Sequence, residues 1–182
     1  PAVISIWDDE YGISVDNTYQ TTKSSISEAL KGFQRDKNDK GYEILTVNGW
    51  DYPSLISVYE HANNIARKEH VPVIVHVKEL TQPVGHSTSG SHERYKNSER
   101  LEWEKNYDCV SKMKEWILEN GLSTNAELEK IYKKCKDFVK KQKDAAWLNY
   151  QSQIIKERDS LINVLKPIIS DEKSNIIIDL TN

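Results

Sequence analysis

The sequence predicts an α/β fold: a partial doubly wound parallel sheet of about three strands, followed by a helical C-terminal region. Three short runs rich in Val and Ile alternate with stretches whose apolar residues recur at helical spacing. This β-α-β-α-β order favours parallel strands joined by right-handed crossovers. From residue 99 onward the pattern is helical. We therefore predict an α/β domain over residues 1–98 and a helical extension over residues 99–182.

The three strands are predicted at Ala2–Trp7, Tyr42–Val47 and Pro72–Val77. Their hydrophobicity is continuous rather than alternating, which favours strands that are buried on both faces, as in a parallel sheet. The chain starts with Pro1 rather than Met and enters a strand at once. We therefore expect it to be a fragment or a processed piece of a longer chain.

Two helices are predicted between these strands, at Ser24–Phe33 and Pro53–Glu69. Both carry apolar residues at helical spacing, and Pro53 suits the first turn of the second helix. The stronger stripe, in the second helix, consists of Leu55, Ile56, Tyr59, Ala62, Ile65 and Ala66.

The extension is predicted to contain at least two further helices. One passes through Val110 and Ile117 and is stopped by Gly121. A capping box at Thr124–Glu127 precedes a longer helix that we expect to end near Leu165. The closing Ile176–Ile178 predicts a short strand or an apolar tail.

The composition excludes several classes of protein. The chain has 182 residues, 37% of them hydrophobic, and only seven Gly and five Pro, which excludes collagen-like and low-complexity sequences. No apolar run approaches the roughly 20 residues of a membrane span. The net charge of −3 argues against a nucleic-acid binder. Cys109 and Cys135 are too few for a disulfide scaffold, so we interpret them as buried side chains and expect a reducing, cytoplasmic location.

The first candidate for chemistry is the acidic run Asp8–Glu10, directly after the first predicted strand. In open α/β sheets, ligands bind beyond the carboxyl ends of the strands. Neighbouring oxygen donors at that position suit a hard cation such as Mg²⁺. The alternative is a solvated acidic turn.

The second candidate is the loop Gln82–His92, which lacks periodicity and is rich in small polar residues. Its hydroxyl and backbone N–H groups, with positive character from His86, Arg94 and Lys96, could hold a diphosphate without a Walker lysine. A mobile surface loop is the alternative. The usual motifs for nucleotide hydrolysis, dinucleotide binding, zinc proteolysis and serine hydrolysis do not occur.

The third candidate is Lys130–Lys143, with seven lysines against one acid, Asp137. A basic helix can bind an acidic partner, but its apolar stripe also fits a core-facing helix with a solvated back. We interpret His61, His70 and His76 as helix-surface, helix-end and strand residues rather than ligands.

Three segments of the chain, in this order, resemble one family. Pro1–Ser14 looks like a strand and loop that ends in Asn-Asn-Gly-Tyr-Ala-Ile-Ser, and Thr46–Asp51 looks like a Val-Asp-Gly-x-Asp segment before a helix. Gly85–Ser89, followed by Arg94–Lys96, is similar to a His-Ser-Thr-Ser…Tyr-Arg loop. Residues 1 to about 120 thus resemble the C-terminal portion of the alpha subunits of thiamine-diphosphate-dependent 2-oxo acid dehydrogenases, of the branched-chain (2-oxoisovalerate) type.

The resemblance implies an oxidoreductase that decarboxylates a branched-chain 2-oxo acid, with thiamine diphosphate and Mg²⁺ as cofactors. Asp9 and the backbone carbonyl of Tyr11 would ligate the metal. The cofactor-binding residues would be Tyr11, Ile13, His86 and Ser87. His86 would also be the catalytic histidine that assists acyl transfer to a lipoyl group.

The resemblance also implies two partners: a beta subunit or beta domain, which carries the activating glutamate, and a lipoyl-bearing acyltransferase component. The upstream Gly-Asp-Gly half of the cofactor motif is absent, so the chain should be inactive alone. Asp8-Asp9 replaces the family's Asn-Asn, which keeps open a diverged member that has lost activity. The other alternative is a non-catalytic module that docks an acidic partner through its lysine-rich helix.

Overall fold

The computed structural model describes residues 1–38, 40–86 and 92–166. The chain divides into two compact units, Pro1–Thr124 and a second one that begins at Asn125. In chain order the elements are β1 (Val3–Trp7), β2 (Tyr11–Gly12), β3 (Val15–Asp16), α1 (Asn17–Gln20), α2 (Ile26–Ala29), β4 (Glu43–Asn48), α3 (Tyr52–Asn64), β5 (Val73–Lys78), α4 (Ser98–Asn106), α5 (Cys109–Glu119) and α6 (Asn125–Leu165).

The first unit contains a parallel sheet of three strands in the order β1-β5-β4, which confirms the predicted fold class. The last of the three strands in sequence lies in the middle, so it pairs with both of the others. Val73 is opposite Val3 on one side and opposite Glu43 on the other. The carboxyl ends of β1 and β5 are therefore neighbours at one edge of the sheet.

The apolar core lies between β5 and helix α3. Val73, Val75 and Val77 point to this side, and their side chains have no solvent exposure. Ile74 and His76 alternate with them toward the opposite face and are buried as well. The complete cluster of buried core residues is Val47, Ala62, Ile65, Ala66, Val71, Val73, Val75 and Val77.

The helix predicted at Pro53–Glu69 is confirmed as α3, which continues into a π-helical turn at Ile65–Glu69. Asp51 caps its start, because the side chain accepts a hydrogen bond from the Ser54 N–H at 3.1 Å. His70, with a left-handed φ of 59°, ends the π-helical turn.

The prediction of one helix at Ser24–Phe33 is wrong. Helix α2 has only four residues and lies between two 3₁₀ turns, Thr22–Ser24 and Lys31–Phe33. Ser25 takes an extended conformation and accepts the Glu28 N–H, so it starts a new helix instead of continuing one. Serine side chains compete in this way for nearby backbone groups, which apolar spacing does not reveal.

The expectation that every strand is buried on both faces is wrong for β1. Ile4 and Trp7 in this strand are 53% and 62% exposed. Helix α3 packs mainly against β4 and β5, so much of β1 stays uncovered within the described residues. Among the described residues, the middle strand alone is buried on both faces.

The helical character of the C-terminal region is confirmed as far as Leu165, with α5 followed by Gly121 at a φ of 64° and α6 ending at Leu165 as predicted. Its packing is not as predicted, because the stripe of α6 that should face a core is exposed at Ile131 and Phe138. Cys135 on this stripe is exposed too, and Cys109 is only partly buried. Helical periodicity marks a face that is suited to burial but does not supply the surface that would cover it.

Two further features of the sequence lie beyond the residues that the structure describes. They are Pro167, which cannot continue a helix and follows its expected end, and the apolar run Ile176–Ile178. Within the described residues, no helix is both long and apolar enough to cross a membrane.

Val75→Ala should lower the free energy of unfolding by about 2 kcal/mol, because it removes two buried methyl groups from the centre of the sheet. Val110→Ala is the matched control, since Val110 is 76% exposed on α5 and should change stability by less than about 0.5 kcal/mol. Urea unfolding measures both. Equal losses at the two positions would contradict this description of the core.

Candidate functional site

The two loops singled out by the sequence leave the sheet side by side. The Asp8 N–H donates to the Val77 carbonyl at 2.9 Å, and the Leu80 N–H donates to the Asp8 carbonyl at 3.2 Å. These bonds continue the pairing of β1 and β5 beyond the strands. The acidic turn after β1 is therefore held against the segment that leads from β5 to His86, at the edge where open α/β sheets bind ligands.

The acidic turn is shaped by its own side chains. Asp8 Oδ1 accepts the Glu10 N–H at 2.8 Å, and Asp9 Oδ1 accepts the Tyr11 N–H at 3.4 Å. Glu10 takes a left-handed φ of 68°. Aspartate is common in turns because its side chain forms bonds of this kind with the backbone two residues further on. The other carboxylate oxygen of Asp9, Oδ2, takes no part in the bond to the Tyr11 N–H.

A hairpin that the sequence analysis missed follows this turn. Strands β2 and β3 pair in antiparallel fashion, with Tyr11 opposite Asp16 and Gly12 opposite Val15. Ile13 lies in the connection with a φ of 60°. The usual Asn-Gly or Asp-Gly signal of a tight hairpin is missing, so only the positive φ of Ile13 reveals the turn.

His86 contacts both the turn and the hairpin. Its Nδ1 lies 3.1 Å from the carbonyl oxygen of Ile13, and its Nε2 lies 3.1 Å from Asp9 Oδ2. Because a carbonyl oxygen can only accept, Nδ1 must carry the proton of that bond. Nε2 is thus left facing a carboxylate oxygen of Asp9.

Asp9 Oδ2 is buried and, among the described residues, has no hydrogen-bond donor. The close approach of His86 Nε2 does not have hydrogen-bond geometry. A buried anionic oxygen without a donor is costly unless a cation or another group compensates it. Its environment fits a hard cation such as Mg²⁺.

Gly85 shapes the backbone just before His86. Its N–H donates to the Gln82 carbonyl at 2.9 Å, and its φ is 69°. A Cβ atom at this position would lie 2.8 Å from the Tyr95 hydroxyl. A larger residue here would be strained by the left-handed backbone and would displace the Tyr95 hydroxyl.

Helix α4 joins the two loops through Arg100. Its guanidinium donates to the carbonyl of Asp9 at 3.0 Å and to the carbonyl of Leu80 at 3.4 Å. It also forms ion pairs with Glu10 and Glu104. Burial lowers the pKa of Arg100, but the hydrogen bond to Glu104 and the charge of Glu10 outweigh it, so this pKa lies above its usual value. The Arg100 guanidinium, which we call the clamp because it bonds to both loops, is therefore always charged.

A buried ion pair supports this clamp. Lys96 and Glu104 are 4% and 3% exposed, and Lys96 Nζ lies 2.7 Å from Glu104 Oε1. The same ammonium lies 5.1 Å from the ring centre of Tyr11, and the Arg100 guanidinium lies 5.5 Å from it. Burial raises the pKa of Tyr11, and the charge of Arg100 only partly offsets this effect.

The structure thus brings together four of the residues proposed from the sequence, Asp9, Tyr11, Ile13 and His86, while Ser87 lies outside the described residues. Their roles toward a metal and a cofactor stay predictions. Within the described residues, no group of three or more His, Cys, Asp or Glu side chains could hold a metal ion. A cation at Asp9 would need oxygen ligands from the backbone, from a bound phosphate or from elsewhere.

Arg100, Glu104 and the ion-pair role of Lys96 were missed by the sequence analysis. A charged residue within a polar helix looks the same in the sequence whether it is solvated or buried against a partner. The signal that could have found them is the i, i+4 spacing of Arg100 and Glu104, but this spacing is typical of exposed helix faces too.

Lys96→Met should lower the free energy of unfolding by about 3 kcal/mol, because it leaves the buried Glu104 without one of its two cations. Lys112→Met removes the lysine of an exposed pair with Glu115 at 2.8 Å and should cost less than about 1 kcal/mol. Urea unfolding distinguishes them. A loss at Lys96 as small as that at Lys112 would contradict the buried pair.

Comparisons with known proteins identify the family of the chain. Residues 1–153 match the family described as dehydrogenase E1 component. Over 145 residues the chain is 28% identical to "Pyruvate dehydrogenase E1 component subunit alpha" of Rickettsia bellii (strain RML369-C), and also 28% identical to the protein of the same name from Rickettsia felis (strain ATCC VR-1525 / URRWXCal2). Each alignment covers 77% of this chain and 40% of the relative, so the chain spans less than half the length of these relatives. Because the family match extends over most of the sequence, the chain belongs to the dehydrogenase E1 component family.

Proposed function

We propose that this chain is part of the alpha component of a 2-oxo acid dehydrogenase and that the Asp9–His86 cluster is its share of the cofactor site. The family depends on thiamine diphosphate. The observation that carries the proposal is the buried, donor-less Asp9 Oδ2, 3.1 Å from His86 Nε2 at the carboxyl edge of the sheet. Family membership supports the assignment to an alpha component, and this geometry brings together residues that the resemblance implied.

Asp9 and the backbone carbonyl of Tyr11 would hold Mg²⁺, which in turn would anchor the diphosphate of the cofactor. Mg²⁺ usually takes one or two protein carboxylates and completes its shell with phosphate oxygens and water. A single carboxylate at the end of a strand is consistent with this coordination. Among the described residues, no set of side chains could provide a complete metal shell. Arg100 would not be a metal ligand. It fixes the backbone of Asp9 by donating a hydrogen bond to the Asp9 carbonyl.

His86 would hold or move a proton at Nε2. Its Nδ1–H is directed at the Ile13 carbonyl, which fixes both the tautomer and the orientation of the ring. With 30% of its side chain exposed, the ring is accessible to a reacting group. Thiamine diphosphate, when bound, supplies the nucleophilic carbon and the electron sink for decarboxylation. His86 would then assist the acyl transfer as a general acid–base group.

The substrate and the partners follow from the same proposal. The sequence around His86 resembles the branched-chain type, which supports a branched-chain 2-oxo acid, whereas the curated relatives are named for pyruvate. The missing part of the site would come from a beta subunit or beta domain and from the remaining alpha sequence. A lipoyl-bearing acyltransferase component would receive the acyl group. We place this assembly in the cytoplasm.

Asp9→Ala in the intact enzyme should weaken the binding of Mg²⁺ and thiamine diphosphate by at least about tenfold, because an oxygen ligand is lost. Asp9→Asn keeps an oxygen and should retain most of the affinity. Asp36→Ala, at an exposed turn, is the control and should bind like the wild type. Calorimetric titration measures all three. Wild-type affinity in Asp9→Ala would refute the metal site.

His86→Ala should lower the rate of acyl transfer to a lipoyl acceptor by about 10²-fold or more, with a smaller effect on cofactor affinity. His61→Ala, on the exposed side of α3, should leave this rate unchanged. The assay compares lipoyl acylation with decarboxylation measured by an artificial electron acceptor.

Full activity in both Asp9→Ala and His86→Ala would instead favour the non-catalytic interaction module. The observation that supports this second candidate is the exposed apolar stripe of α6, which includes Ile131 and Phe138 and is flanked by lysines.

A further inference from the structure

The buried histidine of the middle strand has a set of contacts that the proposed mechanism does not use. His76 is 1% exposed and lies on the face of β5 opposite the valine core. Its Nε2 lies 2.8 Å from Asp8 Oδ2, and its Nδ1 lies 3.0 Å from the Ser27 hydroxyl. Both ring nitrogens therefore have a partner, as a buried histidine requires.

The roles of donor and acceptor in this chain follow from chemistry. A carboxylate can only accept, so Nε2 donates to Asp8. In the neutral ring, Nδ1 then accepts from the Ser27 hydroxyl. Ser27 Oγ also lies 3.2 Å from Ser25 Oγ, which accepts the Glu28 N–H at the start of α2. A continuous series of hydrogen bonds thus connects α2, through the sheet, to the acidic turn.

Asp8 transmits this connection to the candidate site. One of its carboxylate oxygens is held by His76, and the other accepts the Glu10 N–H at 2.8 Å. Its backbone is held on both sides by Val77 and Leu80. Asp9 is the next residue along the chain, so the direction of its carboxylate depends on how firmly Asp8 is fixed.

We infer that His76 is a positioning residue for the metal and cofactor site. By donating to Asp8, it holds the turn that carries Asp9 and leads into Tyr11. Ser27 holds the ring in the tautomer that makes this donation possible. The inference rests on the proposed function, since it assigns to His76 the preorganisation of a cation site at Asp9.

Two substitutions of His76 separate this role from a purely structural one. The amide nitrogen of Gln reaches the place of Nε2, so His76→Gln can still donate to Asp8 but loses Ser27. The amide of Asn reaches only the place of Nδ1, so His76→Asn can still bond to Ser27 but loses Asp8. Both variants remove one hydrogen bond and the ring from the same buried position.

The intact enzyme is titrated calorimetrically with thiamine diphosphate at saturating Mg²⁺, and with Mg²⁺ at saturating thiamine diphosphate. We expect His76→Asn to raise the dissociation constants by at least about tenfold and His76→Gln by no more than about threefold. With both cofactors saturating, kcat should stay within about threefold of the wild type in both variants. Thermal unfolding midpoints should be similar in the two variants.

Asp8→Asn provides a second test in case a His76 variant does not fold. An amide can accept only one of the two bonds that Asp8 accepts and turns its NH₂ toward the other donor, so cofactor affinity should again fall by about tenfold. Combining Asp8→Asn with His76→Asn should cause a smaller loss than the two single losses added together, because both changes weaken the bond between residues 8 and 76.

The outcomes distinguish the inference from the function on which it rests. Equal losses of affinity in His76→Gln and His76→Asn, or additive losses in the double variant, would overturn the positioning role. An intact wild-type enzyme that binds thiamine diphosphate without any dependence on Mg²⁺ or Asp9 would overturn the proposed function itself, whatever the His76 variants do.

Discussion

The pairing of β1 with β5 beyond the ends of the strands is the constraint on which the site depends. Residues about 70 positions apart in sequence become neighbours because the Asp8 N–H bonds to Val77 near the end of β5 and the Asp8 carbonyl bonds to Leu80 just after it. Parallel strands bring their carboxyl ends to the same edge, so two loops with suitable chemistry meet without any local sequence signal that links them. The fully buried valines of β5 stabilise the sheet by packing in the apolar core next to helix α3.

The loops at this edge are held by polar groups rather than by an apolar core. Arg100 bonds to the carbonyls of both loops, and Lys96 and Glu104 support it from within helix α4 and the turn before it. A buried ion pair of this kind often contributes little net stability, but it is costly to disrupt. Its benefit here is directional, since hydrogen bonds define the orientation of a backbone more sharply than apolar contacts do.

Membership of the dehydrogenase E1 component family gives the incomplete appearance of the site a simple interpretation. The chain corresponds to 40% of the length of its curated relatives, and the described residues offer one buried carboxylate oxygen rather than a closed set of metal ligands. In our proposal the remaining ligands belong to the cofactor and to sequence outside this chain. His76 and Asp8 extend the proposal into the sheet, because they connect the proposed metal-binding turn to the buried middle strand.

The sequence by itself determined the parallel α/β class, the approximate limits of the strands, helices α3 and α6, and the two candidate loops. These features follow from local periodicity and from residue types at strand ends, as with Asp9 and His86. Only the tertiary structure decided the contact of His86 with the Ile13 carbonyl, the clamp at Arg100, the pairing of His76 with Asp8, and the exposure of the stripe on α6. The physical reason is that periodicity shows which side chains suit burial, whereas the partner of each polar group depends on which distant segments the folded backbone brings within hydrogen-bonding distance.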